Sequence, residues 1–165
     1  MSEAPTARDL VSQRYLSIEE QHTLREAFAV LMDEGSTSEG EHTFVVTHED
    51  GSYSGLLSLR RFLIGLFGNW NLEVRSNDAE LEDALRDRLG LKITDIMERN
   101  RPQVAMNTPL LELMDKMVDP EFECLPVVEH GKIKGVIYIA EVFRVAASLS
   151  LTPETSGIRV EKHGE

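Results

Sequence analysis

Two apolar runs separated by a short polar turn stand out in the second half of the chain. Residues 125–128 and 133–139 form the runs, and Gly131 lies in the turn between them. β-Branched residues dominate both runs, which favours strands, and a short connection with glycine predicts a hairpin. The apolar residues that follow recur at helical spacing, at Val142, Phe143, Val145, Ala146 and Leu149. The pattern therefore predicts a strand, a tight turn, a strand and a helix.

The same pattern occurs in the first half. Residues 42–47 and 52–57 are predicted strands on either side of a turn, and a helix is predicted from Ser58 to Phe67. Gly51 and Gly55 correspond to Gly131 and Gly135, each pair being 80 positions apart. Further upstream the triplet that begins at Asp9 corresponds to the one at Asp95, 86 positions later. The sequence therefore contains two copies of one small module.

The remaining segments complete this division of the chain. Helical periodicity predicts helices over residues 21–33, 78–89 and 109–118, and residues 34–41 form a turn-rich insertion that the second copy lacks. The predicted units are residues 6–67, a linker with a helix over 68–90, residues 91–149, and a polar tail over 150–165.

The second copy resembles a cystathionine-beta-synthase-type (CBS) domain. The resemblance rests on Asp95-Ile96-Met97, the helix over 109–118, Leu125-Pro126-Val127-Val128, Gly131 and Gly135-Val136-Ile137. It implies an α/β fold in which two β-α-β-β-α repeats, with mixed sheets packed on helices, form one disc-like pair. Such pairs usually dimerise and often bind adenosyl ligands in clefts between the repeats.

The resemblance also implies a ligand motif at each junction between the hairpin and the following helix. Family members that bind nucleotides commonly have Ser or Thr there, and Asp three residues later. The hydroxyl and the helix N-terminus meet phosphate, and the carboxylate accepts hydrogen bonds from the ribose hydroxyls. The first copy has Ser58 but Arg61 at the carboxylate position, whereas the second has Glu141 but Tyr138 at the hydroxyl position. Each copy thus keeps half of the motif.

Each copy of the module contributes its own candidate ligand-binding residues. In the first copy they are Thr43, Phe44, Ser58, Arg60 and Arg61. The residues expected around the second cleft are Thr94, Cys124, Leu125, Pro126, Val127, Tyr138 and Glu141. The two arginines either favour an anionic ligand such as a polyphosphate or are solvated residues in the first turn of a helix. Tyr138 either stacks on a base or fills the cleft with its ring.

Composition narrows the functional classes. The 165 residues include 17 basic and 29 acidic ones, giving a net charge of −12, which disfavours binding to nucleic acid or anionic membranes. The sequence has no apolar run of membrane-spanning length. The single cysteine, Cys124, cannot form an internal disulfide, so we expect a reducing, cytoplasmic location.

The sequence does not predict an enzyme. Its five histidines lack metal-ligand spacing and are expected to lie exposed in turns, and Cys124 with His130 has no orienting third group. Neither a P-loop, paired catalytic carboxylates nor a serine elbow is present. No catalytic residue, metal site or cofactor is therefore expected.

The leading hypothesis is a regulatory sensor that binds AMP, ADP, ATP, S-adenosylmethionine or a related anion. The alternative is a structural or protein-interaction module whose ligand sites have decayed. A homodimer is expected in either case, with output passing to a separate effector protein. The helix faces expected at its interface are Phe62, Leu63, Leu66 and Phe67, and Val142, Phe143, Ala146 and Leu149.

Overall fold

The computed structural model describes residues 4–33, 42–67, 78–98, 100, 102–118, 122–151 and 157–164. Their helices are α1 (Ala7–Leu10), α2 (Leu24–Asp33), α3 (Leu59–Phe67), α4 (Asp78–Arg88), α5 (Ile93–Ile96), α6 (Leu110–Met117) and α7 (Ile139–Ser150). Their strands are β1 (Leu16–Glu19), β2 (Phe44–Thr47), β3 (Tyr53–Leu57), β4 (Cys124–Glu129) and β5 (Lys132–Tyr138). Residues 157–164 have no helix or strand.

Both predicted hairpins are confirmed. β2 pairs antiparallel with β3, with Phe44 opposite Leu57, and β4 pairs antiparallel with β5, with Cys124 opposite Tyr138. β1 adds to β2 in parallel, so the first sheet is mixed and has the order β1-β2-β3. In the second repeat the counterpart of β1 is reduced to an isolated parallel bridge between Val104 and Val127.

The predicted helices are confirmed to within about three residues at each end, and α4 lies in the predicted linker. The insertion over residues 34–41 and the linker residues 68–77 fall outside the described residues. In the part of the chain that the structure describes, no helix has both the length and the apolarity needed to cross a membrane.

The two repeats exchange their short N-terminal helices. Ile93 and Ile96 of α5 are buried in the core formed by the first sheet with α2 and α3. Ala7 and Leu10 of α1 are buried in the core formed by the second sheet with α6 and α7. Each core therefore contains residues from both repeats, and neither core is completed by the sequence segment of its own repeat alone.

Backbone hydrogen bonds fix this exchange. The N–H of Glu98 donates to the carbonyl of Leu56 at 2.7 Å. In the equivalent pair, Ser12 donates to Val136 at 2.8 Å and Val136 donates back to Ser12 at 2.9 Å. A bridge between Ser52 and Lys132, which are themselves 80 positions apart, lies at the centre of the pair. These bridges join equivalent positions of the two repeats, so the repeats are related by a pseudo-twofold axis.

A third apolar cluster joins the two sheets. It contains Val45, Tyr53, Leu56, Cys124, Val128 and Val136. Because this cluster draws on β2 and β3 as well as β4 and β5, the two repeats share one continuous interior. The walls of the clefts between the repeats are therefore parts of one packed structure.

Two of the residues expected at a dimer interface are core residues. Phe62 and Val142 are each only 4% exposed, since they pack into the two repeat cores. Their neighbours Leu63 and Phe143 are 65% and 74% exposed. Of the expected faces, Leu63 and Phe143 are therefore on the solvent side of α3 and α7, whereas Phe62 and Val142 are not.

Candidate functional site

Two clefts related by the pseudo-twofold axis lie between the repeats. The first lies beside the junction of β3 and α3, and its lining residues are Thr43, Leu56, Ser58, Arg60, Arg61, Glu98, Phe122, Glu123 and Cys124. Its cavity volume is about 10 Å³, which is close to the minimum that holds a single water molecule. The first cleft is therefore closed in this conformation.

Arg61 helps to close the first cleft. Its Nε donates to the carbonyl of Ile96 at 2.9 Å, and a terminal nitrogen lies 3.5 Å from the carbonyl of Met97. Carbonyls at the end of a helix lack intrahelical partners, so a guanidinium there satisfies them. Arg61 is thus not a freely solvated residue. It ties α3 to the end of α5 from the other repeat.

The second cleft is open. It lies beside the junction of β5 and α7 and has a cavity volume of about 410 Å³, within the range of small-molecule sites. Its described lining residues are Asp9, Leu10, Val11, Ser12, Tyr138, Ala140 and Glu141. The stretch from Asp9 to Ser12 corresponds to Asp95 to Glu98, so the two clefts are built from equivalent parts of opposite repeats.

Tyr138 lines the second cleft without filling it. The residue is half-buried at the N-cap of α7, and its hydroxyl donates a hydrogen bond to the carbonyl of Arg14 at 2.6 Å. This bond crosses from the second repeat to the first, so it fixes the ring relative to the opposite wall. Of the two sequence interpretations, a ring that plugs the cleft does not agree with the remaining volume.

Glu141 presents the second cleft with a charged carboxylate. It lies in the first turn of α7 and forms an ion pair with Arg144. The Arg144 hydrogen bond lowers the pKa of the Glu141 carboxyl below its ordinary value. The side chain is 35% exposed, so it is reachable by a ligand. Its position relative to β5 is the one that the sequence comparison assigned to the ribose-binding carboxylate.

The expected grouping around Glu141 is wrong for Cys124. Cys124 is 2% exposed and lines the first cleft with Ser58, because the strands of the two hairpins meet there. Burial raises the pKa of its thiol to about 12, which makes it a poor nucleophile. Thr94 is half-buried on α5 and lies outside the residues that line the second cleft.

Four other predicted ligand residues are interior strand residues. Phe44, Leu125, Pro126 and Val127 are among the most deeply buried side chains of the described chain. Leu125 also forms part of the wall of a cavity of about 310 Å³ beside Asn100 and Pro102. Phe122 lines that cavity as well as the first cleft, although it belongs to none of the sequence motifs.

The residues that line the second cleft from the first repeat were also missed. Asp9, Leu10, Val11 and Ser12 lie on α1 and just after it, far from Glu141 in sequence. The sequence did contain a signal for them, since Asp9 matches Asp95 in the internal repeat. These residues reach the cleft because α1 and α5 are exchanged between the repeats. Sequence periodicity does not predict that exchange.

Three histidines differ from the expected exposed turn residues. His22, His42 and His48 are half-buried. His48 Nδ1 lies 2.8 Å from Glu20, whose other carboxylate oxygen accepts a hydrogen bond from Ser54. Within the described ranges, no group of three or more His, Cys, Asp or Glu side chains could hold a metal ion.

Comparison with known proteins agrees with this fold. Residues 93–148 match the model of the CBS domain family. The chain folds as a CBS-domain pair. A solved CBS-domain pair in complex with 5′-methylthioadenosine and S-adenosyl-L-methionine superposes with a TM-score of 0.66, covering 90% of this chain and all of that one at 15% identity.

The ATP complex of the cytosolic domain of the Mg²⁺ channel MgtE superposes with a TM-score of 0.61 at 23% identity. The match covers 82% of this chain and 46% of that one. At these identities the likeness shows the fold of the CBS pair alone. The ligand of this chain therefore has to be inferred from the chemistry of its own clefts.

A zinc metalloprotease of Methanocaldococcus jannaschii is 33% identical over 92 residues, which are 54% of this chain. The match covers only about a quarter, 26%, of that relative's length. The nearest approach to the H-E-x-x-H zinc motif here is His48-Glu49, where Ser52 stands in place of the second histidine.

Proposed function

We propose that this CBS pair is a non-catalytic regulatory module that binds an adenosyl ligand in the second cleft. The observation that carries the proposal is the 410 Å³ cavity between α1 of one repeat and the β5–α7 junction of the other. Glu141 gives it a carboxylate for ribose hydroxyls, and a charge-assisted hydrogen bond of this kind contributes roughly 1.5–3 kcal/mol. Solved pairs of the same fold are complexes with ATP or S-adenosyl-L-methionine.

A ligand that bridges the second cleft would also give the module an output. The wall from the first repeat is the exchanged helix α1, and the wall from the second is the start of α7. A ligand that contacts both walls favours the arrangement in which they are closest. A partner protein bound to α1 and α7 would respond to such a shift.

The experiment is a thermal-unfolding panel with adenosine, AMP, ADP, ATP and S-adenosylmethionine. A ligand at 100 times its dissociation constant stabilises the folded state by about 2.7 kcal/mol, which is visible as a higher melting temperature. We expect Glu141→Ala to abolish the shift. Glu123→Ala removes a glutamate that lines the first cleft instead and is the matched control. No shift with any compound at millimolar concentration would overturn the proposal.

One observation favours a second candidate function, a protein-interaction module. The first cleft holds only about 10 Å³ and is closed by the protein's own Arg61, as expected of a site that has lost its ligand. If the second cleft also binds nothing, this function becomes the better one. Pull-down with a separate effector would then be the relevant measurement.

We also propose that the module is a homodimer. A groove of about 170 Å³ between α6 and α7 is almost wholly apolar, and its lining includes Met114, Val118, Ile139 and Phe143. In the first repeat Phe28 and Leu63 are 42% and 65% exposed at equivalent positions. Sedimentation of Phe143→Glu should show a monomer, whereas Leu151→Glu, an exposed residue beyond α7, should not change the mass.

A reducing, cytoplasmic location is part of the same proposal. Its support is Cys124, which is a free thiol buried between the two sheets. Free thiols persist where disulfides do not form. Fluorescence microscopy of a tagged protein would test the location.

A further inference from the structure

The charge of the second cleft restricts the ligand that it can take. Its seven described lining residues include the carboxylates Asp9 and Glu141 and no Lys, Arg or His. Arg144 pairs with Glu141 but is 68% exposed and is not among the lining residues. The described residues that line this cleft therefore carry two carboxylates and no cation.

The first cleft provides an internal comparison. Arg60 and Arg61 line it at the start of α3, together with Ser58. At the equivalent start of α7, the second cleft has Ala140, Glu141 and Tyr138. Cations and a small hydroxyl in the closed cleft are thus replaced by an anion and an aromatic ring in the open one.

The helix N-terminus at the second cleft is already neutralised. The partial positive charge of an N-terminus ordinarily attracts an anion. In α7 the Glu141 carboxylate occupies the first turn, and its lowered pKa keeps it ionised at neutral pH. The hydroxyl of Tyr138 is committed to the Arg14 carbonyl. A phosphate group would therefore meet a carboxylate where a phosphate site needs donors.

We propose that the second cleft selects adenosyl ligands with little or no negative charge, namely a nucleoside or a nucleoside sulfonium cation, over nucleoside di- and triphosphates. The proposal rests on the proposed function, since it specifies the ligand of the same cleft. A sulfonium cation is attracted by Asp9 and Glu141, a neutral nucleoside is tolerated, and each added phosphate charge is repelled.

The test is isothermal titration calorimetry of the full chain with adenosine, S-adenosylmethionine, AMP and ATP in magnesium-free buffer. We expect adenosine and S-adenosylmethionine to bind, AMP to bind about tenfold more weakly than adenosine, and ATP at least about 100-fold more weakly. Equal affinities for adenosine and ATP would overturn the charge selection and leave the proposed function standing. Binding of none of the four would overturn both.

Charge variants separate the cleft from the acidic protein as a whole. Asp9→Asn removes one charge from the second cleft while keeping an oxygen that can accept the Thr6 N–H bond now made to Asp9. It should reduce the preference for adenosine over AMP by about fivefold. Glu123→Gln removes one charge from the first cleft and should leave that preference unchanged. Equal effects of the two variants would assign the selection to net charge and overturn the proposal.

Discussion

The hydroxyl of Tyr138 lies 2.6 Å from the backbone carbonyl of Arg14, so a side chain of the second repeat is held by the backbone of the first. A hydrogen bond of this type contributes about 1 kcal/mol to folding stability. Tyr138→Phe keeps the ring and removes only the hydroxyl, so it should lower the free energy of unfolding by about that amount. Urea unfolding is the measurement. An unchanged unfolding midpoint would show that the bond does not join the repeats energetically.

Gly135 of β5 lies against Val11 and Ser12, which follow the exchanged helix α1. Its φ is +151°, and a Cβ there would lie 2.7 Å from the carbonyl oxygen of Ser12 and 2.4 Å from a methyl of Val11. Gly135→Ala should therefore cost at least about 2 kcal/mol, since strain and overpacking add. The free energy of unfolding from urea titration measures this cost.

Gly131 is the matched control for that substitution. Its φ of +77° also disfavours alanine, but a Cβ there would meet nothing within 4 Å. Gly131→Ala should cost only about 1 kcal/mol, the backbone strain alone. Equal losses for the two variants would mean that contact with Ser12 and Val11 contributes nothing.

The internal repeat made most of the fold predictable. Runs of β-branched apolar residues located the hairpins, and helical periodicity located the long helices, each of which buries one face. Leu10 and Ile96 show the limit of this reasoning. The apolar pattern around these two residues predicts that they are buried. It does not predict in which of the two cores they lie, since both cores have an equivalent apolar position. Helix exchange is a choice between two nearly symmetric partners, which a local pattern does not encode.

The candidate site was predictable to the same extent. The motif comparison found Ser58, Arg61, Tyr138 and Glu141 because they lie at fixed distances from Gly55 and Gly135. It did not find Asp9 or the interaction of Arg61 with Ile96, because both depend on where α1 and α5 pack. Residues that belong to one hairpin could be read from the sequence, whereas contacts between repeats required the structure.

Arg61 should act as a structural residue. It donates to the carbonyl of Ile96 at 2.9 Å, so Arg61→Ala leaves the end of α5 without that partner. We expect a loss of about 1–2 kcal/mol in the free energy of unfolding. Arg60 is the neighbouring, exposed arginine, and Arg60→Ala should change stability by less than about 0.5 kcal/mol. Equal small effects would indicate that Arg61 does not hold the two repeats together.

Cys124 should make stability depend on pH in the alkaline range. Burial raises the pKa of its thiol from 9.0 to about 12. Between about pH 9 and 12 the unfolded chain loses the thiol proton while the folded chain keeps it, so deprotonation favours unfolding. The free energy of unfolding should fall by up to about 1.4 kcal/mol per pH unit as pH rises through this range, and the contribution is fully present below pH 9.

The measurement compares the wild-type chain with Cys124→Ala by urea unfolding at pH 8.5 and pH 10.5. Other groups also titrate over this interval, but they do so in both proteins, so the difference isolates the thiol. We expect the wild type to lose about 2 kcal/mol more than the variant. Parallel pH profiles would mean that the thiol titrates normally and that the interior between the two sheets admits water at Cys124, in disagreement with the 2% exposure of this side chain.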